Sequence, residues 1–332
     1  MRNWLAALAG GAWLMAAASG AWAQDKVTFG LDWLPQAEHG GFFQAAANGI
    51  YRKHNLDVTI RPGGPQVNHT QLLIAGRLDF NMTSNSFLAL NFVRENIPFR
   101  VVAALFQKDP SVLIAHPNQG NDTFPQLKGK PILISSDTRA GWWNFLRVKF
   151  GYTDAQIRPY TFNLAPFLAD KSLIQQGYLG SEPFSIRQAT GIEPVVLLIA
   201  DAGYTGYANL IGVSDRNIKE RPDLVRRFVD ATIEGWYSYL YGDPAPGNAA
   251  IRAANPEMTQ ALIDYGRAAM LRNGIVDSGD ALQNGIGAIN PARFADFHRT
   301  MAAAGLYPAT LDVARAYTTE FVNRKVGMNL KR

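Results

Sequence analysis

The sequence predicts an α/β protein of two lobes, each a mostly parallel sheet flanked by helices, followed by a helical C-terminal tail. Three observations carry this. Residues 26–105 alternate strand-like and helix-like segments with short links, residues 112–200 repeat that grammar, and from residue 223 onward the apolar spacing is helical. Alternation of this kind favours parallel strands with both sheet faces covered. A length of 332 residues suits two domains of ordinary size.

The elements follow in order. Residues 26–31 alternate around Val27, Phe29 and Leu31 and predict a strand. A helix over 40–48 follows, with Phe42, Phe43, Ala46 and Ala47 on one side and Gly49 as its stop. Residues 56–60 predict a strand closed by the Arg61-Pro62-Gly63-Gly64-Pro65 turn, and 66–75 a helix stopped by Gly76. A short strand over 78–82, a helix over 85–94 ended ahead of Pro98, and a strand over 99–105 complete the first run. The second run has strands at 112–115 and 131–135 and a helix at 142–150 stopped by Gly151, and residues 173–178 and 195–200 add helical and strand character. In the tail, Leu224, Phe228, Thr232, Trp236 and Leu240 recur at four-residue steps over 223–240. Met258, Leu262, Ile263, Ala269 and Met270 mark a second tail helix, and Phe294, Phe297 and Met301 a third.

Neither junction between the runs is Gly/Pro/Ser-rich, so the chain is expected to cross twice between lobes. One lobe would comprise 24–110 and 214–332, the other 111–213, with hinge crossings near 111–115 and 207–213. Residues 1–23 read as an export signal. Arg2 is their sole charge, the apolar stretch from Trp4 to Ala18 is short for a membrane span, and Ala21-Trp22-Ala23 has the small-x-small form of a cleavage site. Cleavage after Ala23 would leave a chain without direct membrane insertion. Cysteine is absent, which excludes disulfides, a thiol nucleophile, Cys-ligated metals and a lipid-modified N-terminal Cys. The expectation is therefore a periplasmic protein that is not a lipoprotein. Lys+Arg number 32 against 27 Asp+Glu, with no basic block of the kind a nucleic-acid groove needs.

Ligands of open α/β sheets sit beyond the carboxyl ends of the strands, and four such loops stand out. Residues 32–41 offer Trp33 as a flat apolar face, with His39 and the amides of Gly40 and Gly41 at a helix start. Core packing of Trp33 and a capping His39 are the alternative. Thr83-Ser84-Asn85-Ser86 supplies hydroxyls that cap a helix, with or without a ligand contact from Ser84. Residues 135–143 add Ser136, Arg139 and Trp142 in the same strand-to-helix form. Residues 176–184 place Glu182 between Gly180 and Pro183 on a rigid turn. There it either accepts hydrogen bonds from an amino-substituted ring or stays an exposed loop acid. Trp33, Phe106, Trp142, Tyr178 and Tyr204 are candidate stacking walls, with core packing the alternative for each. There is no GxSxG elbow, phosphate loop or GxGxxG, and the five histidines are not at zincin spacing. The sequence calls for no catalytic residue, metal or cofactor.

Four runs carry a resemblance. KVTFGLDWLPQAEHGGFFQAAANGIYRKHNLDVTI (26–60) and LLIAGRLDFNMTS (72–84), behind the export signal, resemble substrate-binding proteins of ABC importers. The branch is the one serving thiamine-pyrimidine precursors, nitrate, sulfonates and taurine. Its pattern appears as Leu31–Trp33 with Pro35 and His39, Gly49 to Tyr51, Asn55 to Val58 (Asn55 where Gly is common) and Gly76 to Asp79. LKGKPILIS (127–135) and NIKERPDLVRRFVDA (217–231) are similar to the family's second-lobe start and return helix. The resemblance implies a two-lobe type II periplasmic-binding-protein fold with ligand closed between the lobes. It also implies an inner-membrane ABC permease as partner and a monomeric receptor that makes and breaks no bond. The Asp-Trp-x-Pro-x-x-x-His run and the Glu182-Pro183 turn look most like pyrimidine-binding members, in which Trp33 would stack the ring and Glu182 read its amino face. His39, Gly41, Ser84 and Ser136 would add polar contacts, with Tyr178 or Trp142 opposite Trp33. A sulfonate or nitrate receptor is the alternative, disfavoured by an inward carboxylate. A pyrimidine-synthesis enzyme using His39 as reactant is a further one, disfavoured by the absence of the Cys-rich run.

Overall fold

The computed structural model describes residues 23–64, 67 and 69–331. The export signal over 1–23 falls, but for Ala23, outside the described residues, as does the start of the helix expected over 66–75.

The first run is β1 (Asp25–Gly30), a single 3-10 turn (Ala37–His39), α1 (Gly40–Ala47), α2 (Ile50–Lys53), β2 (Leu56–Arg61), α3 (His69–Ile74), β3 (Phe80–Asn85), α4 (Ser86–Arg94) and β4 (Phe99–Phe106). The second is β5 (Ser111–Ala115), β6 (Ile132–Ile134), α5 (Ser136–Ala140), α6 (Trp143–Phe150), β7 (Ile157–Pro159), α7 (Ala165–Ala169), β8 (Ile174–Tyr178), α8 (Glu182–Thr190) and β9 (Val195–Leu198). After β10 (Ala208–Ser214) come α9 (Asp215–Glu220), α10 (Pro222–Tyr241), α11 (Ala245–Ala254), α12 (Gln260–Arg272), α13 (Ala281–Asn284) and α14 (Pro291–Ala303).

Two five-stranded sheets result, ordered β2-β1-β3-β10-β4 and β7-β6-β8-β5-β9. In each, four strands run one way and a single strand runs against them. β10 pairs antiparallel with both β3 and β4, and β5 with both β8 and β9. The expected alternation therefore holds, but each sheet is mixed, because the strand arriving from the other lobe inserts beside the last strand from the opposite direction. The strand anticipated at the return crossing lies wholly in the first sheet, so the chain passes back before it, between Leu198 and Ala208.

The core of the first lobe is organised by α10. Phe228 stacks on Phe80 (centroids 4.1 Å apart, 13°) and on Tyr51 (5.6 Å, 4°). The Tyr51 hydroxyl lies 3.0 Å from Thr232 Oγ1. Helix α1 packs flush on α10: a Cβ at Gly41 would overlap the Trp236 indole, and one at Gly235 would overlap the Gly41 carbonyl. Only glycine permits that approach. The tail also binds the two segments that run between the sheets. Arg293 on α14 donates to the carbonyls of Gln107, Thr205 and Gly206, and Lys108 pairs with Asp201 at 3.1 Å.

Candidate functional site

The loop after β1 is fixed before it presents anything. His39 Nδ1 accepts from the Gln36 N–H at 3.1 Å, which leaves Nε2–H to face Asp32 Oδ1 at 3.3 Å. Asn255 donates to the Pro35 carbonyl, Asn209 to the Glu38 carbonyl and the Gly63 N–H to the Trp33 carbonyl, at 2.9, 2.9 and 3.0 Å. His39 is only 2% exposed. Its ring braces the loop with both nitrogens, which differs from the ligand contact expected of it. Gly41 likewise serves the α1–α10 approach and lies buried beneath Trp236.

Trp33, half-buried, projects from this braced loop towards the second lobe. There it meets Phe162, with centroids 5.1 Å apart and planes at 45°. Phe162 is 50% exposed, has φ +60° and leans on Tyr160 at 5.3 Å. A bulky aromatic in the left-handed region is strained, a feature concentrated at functional sites. The ring opposite Trp33 is therefore Phe162, where Tyr178 or Trp142 was expected. Sequence reasoning missed it because the residue lies in a loop between β7 and α7, outside any apolar period.

The β8–α8 turn supplies the rest of the second wall. Glu182, at the start of α8, accepts from the Tyr178 N–H at 2.8 Å and from the Ser181 hydroxyl. The Leu179 N–H donates to the Pro110 carbonyl at 2.9 Å, so the turn is tied to the first inter-sheet segment. Gly180 touches the first lobe, since a Cβ there would collide with Glu38 Oε1 and come within 3.4 Å of the Gly266 Cα on α12. Beside it Phe184 of α8 meets Tyr265 of α12 at 5.3 Å, and the Arg187 guanidinium lies 5.2 Å from the same Tyr265 ring. The lobes are closed on each other along this line.

The boundary is acidic. Burial pushes the Glu38 carboxyl upward, its own backbone N–H and His39 pull it down, and the neighbouring Glu182 and Asp32 push with the burial. Burial also holds the Tyr178 phenol well above its ordinary value, reinforced by Asp109, Asp32, Glu38 and Glu182. The Tyr160 phenol is raised by burial and by Glu182. Carboxyl groups thus gather at the boundary from both lobes, and their oxygens are placed to accept from N–H donors.

The remaining expected residues divide. Ser84 is half-buried inside β3, which runs on to Asn85. Asn85, not Ser84, caps α4 by accepting from the Phe87 and Leu88 N–H groups. Ser136 is exposed in the first turn of α5, behind the cap Ser135. Three anticipated walls are core. Phe106 is fully buried, edge-on to Trp236 at 5.5 Å. Trp142 is buried at the start of α6. Tyr204 is enclosed by Phe87, Phe145 and Phe297. An aromatic side chain fills a core as readily as it walls a cleft, and type alone does not separate the two. Among the described residues no group of three or more His, Asp or Glu is placed to hold a metal ion, and no helix is long and apolar enough to cross a membrane.

With this geometry in place, a family model described as "NMT1/THI5 like" matches residues 36–246. The chain is 26% identical over 310 residues to the riboflavin-binding protein RibY of Chloroflexus aurantiacus, covering 90% of this chain and 86% of that protein. Among solved structures it resembles the alkanesulfonate-binding protein SsuA of Xanthomonas axonopodis pv. citri, bound to MOPS. The TM-score is 0.64 at 14% identity, with 90% and 99% of the two chains covered. It also resembles the desulfurization enzyme DszB, with TM-score 0.56 at 15% identity and 93% and 100% covered. The shared architecture is the two-lobe fold of periplasmic binding proteins.

Proposed function

The chain belongs to the NMT1/THI5-like family, and from that premise we propose that it is an exported solute receptor of an ABC importer. It captures a planar nitrogen heteroaromatic between its lobes and presents the closed form to an inner-membrane permease. The observation that carries the reading is the Trp33–Phe162 pair, one ring from each lobe, beside carboxyl groups from both sides. Two aromatic faces sandwich a flat ring only when separated by about 7 Å, twice the van der Waals contact distance. At 5.1 Å and 45° they rest on each other, so a ligand enters by parting the lobes and closure follows its added affinity for the closed state.

The ligand class is a ring with an N–H edge, of which the thiamine pyrimidine and the flavin ring system are the two cases. The first is supported by the resemblance of the Asp32-Trp33-x-Pro35-x-x-x-His39 run and the Glu182-Pro183 turn to pyrimidine-binding members, and the second by the riboflavin-binding relative. The sulfonate alternative has the SsuA likeness behind it, but that likeness concerns fold, and carboxyl groups from both lobes suit a ligand with N–H donors better than one with acceptors only. An enzyme using His39 as reactant is disfavoured by the hydrogen bonds that occupy both its nitrogens. A thermal-shift panel of riboflavin, aminopyrimidines, taurine and nitrate tests the proposal. A heteroaromatic at 100-fold its Kd should add about 2.7 kcal/mol. Stabilisation by taurine or nitrate alone would refute it.

A further inference from the structure

One group at the boundary is buried and left unsatisfied by both lobes. Glu38 is 4% exposed. Its carbonyl accepts from Asn209, but its side-chain Oε1 is buried with no hydrogen-bond partner. That oxygen is aimed at the second lobe, lying where a Cβ of Gly180 would be. A buried carboxyl oxygen without a partner costs free energy that an apolar residue of the same size would not. The sealing of the boundary therefore does not account for a glutamate here.

Resting on the reading of the crevice as a heteroaromatic site, we propose that Glu38 is a further ligand-binding and specificity-determining residue. Its unpartnered oxygen takes a polar atom on the edge of the ring held between Trp33 and Phe162.

The groups around it set its form. Asp32 and His39 face it from its own loop, and Glu182 and Tyr178 from the second lobe. Tyr239 faces it from α10 with a hydroxyl that is itself buried and unpartnered. Helix α12 brings Asp264 and Arg267 towards Tyr239, and Arg267 spends its donors on the Tyr239 and Leu240 carbonyls. Burial, joined by Glu182 and Asp32, raises the Glu38 carboxyl against the pull of its own backbone N–H and of His39, so closing the lobes favours its protonated form. In that form it carries a proton to donate, which a carboxylate does not. A ring nitrogen beside an amino group, or a carbonyl beside a ring N–H, presents an acceptor and a donor side by side. Such an edge meets Glu38 as donor and the oxygens of the neighbouring carboxyl groups as acceptors. A flat hydrocarbon meets neither, and a sulfonate brings acceptors only.

The test is calorimetric titration of riboflavin and of 2-aminopyrimidine, neither of which changes charge in the window, into the full mature chain, from about pH 5 to about pH 8, for wild type, Glu38→Gln and Glu38→Leu. Wild-type affinity should fall as pH rises and Glu38 loses its proton. Glu38→Gln keeps a donor at every pH, so it should bind within about threefold of the low-pH wild type with a flat profile. Glu38→Leu should lose at least about tenfold at low pH while melting normally by circular dichroism. Wild-type affinity from Glu38→Leu, or identical pH profiles for wild type and Glu38→Gln, overturns the role of Glu38 and leaves the receptor reading intact. A wild type that binds neither probe at any pH overturns both.

Discussion

The Arg293 guanidinium lies 3.9 Å from the centre of the Tyr207 ring and from there reaches both segments that run between the sheets. It donates to Gln107 in the first and to Thr205 and Gly206 in the second. Removing it leaves three carbonyls to find other partners. Arg293→Met should cost on the order of 3 kcal/mol, at about 1 kcal/mol per bond lost. Urea denaturation checks this, and a loss below about 0.5 kcal/mol would mean that the contacts are incidental.

Phe162 is half exposed and holds little of the core, yet it stands on Trp33. Phe162→Ala should therefore leave stability within about 0.5 kcal/mol of wild type, because little buried surface is lost. Binding of whichever probe wild type accepts should weaken about tenfold, near the 1.4 kcal/mol that one lost aromatic contact is worth. Unaltered affinity in a titration would remove Phe162 from the site.

Gly180 is the point at which the second lobe meets Glu38 and Gly266. Gly180→Ala puts a methyl group where a buried carboxyl oxygen already lies, so the lobes should fail to close fully although each still folds. Small-angle scattering should report a larger radius of gyration than wild type, with weaker ligand binding. A variant as compact as wild type would show that the boundary adjusts.

Asp109 is buried in the first inter-sheet segment and accepts from the Ser111 N–H at 2.9 Å. Burial raises its carboxyl more than the Ser111 hydrogen bonds lower it. The folded chain therefore holds this proton more tightly than the unfolded one. That stability is fully present below the unfolded carboxylate value and is lost as pH rises through the raised folded value. Asp109→Asn should accordingly lose less stability than wild type as pH is raised from about 4 to about 7. Parallel curves in chemical denaturation at a series of pH values would contradict the assignment.

The alternation of elements was legible because period and punctuation are local: Gly49, Gly151 and the four-residue apolar steps of 224–240 sit where the helices end or pack. The insertion of β10 between β3 and β4 was not, since residues 208–214 carry the same apolar pattern whichever strands they join. The first wall of the site was legible in Trp33, which follows a strand and precedes a helix. Phe162 and Glu38 were not. One lies in an irregular loop, and the other is a lone acid whose burial depends on a glycine 142 positions away in the other lobe. Phe106, Trp142 and Tyr204 show the converse, aromatic rings at loop ends that turn inward.

The sheet order has a consequence for how the chain matures. The β5–β9 sheet is built from one uninterrupted stretch, residues 111–198, whereas β3 and β4 stay apart until β10 slots between them. A growing chain thus completes its later-made half first, while the earlier-made half waits with two unpaired strand edges. Pairings over such sequence separations are slow and expose aggregation-prone edges. A holding chaperone should therefore engage residues 80–106 of a chain truncated before position 208 and release them once β10 has been made.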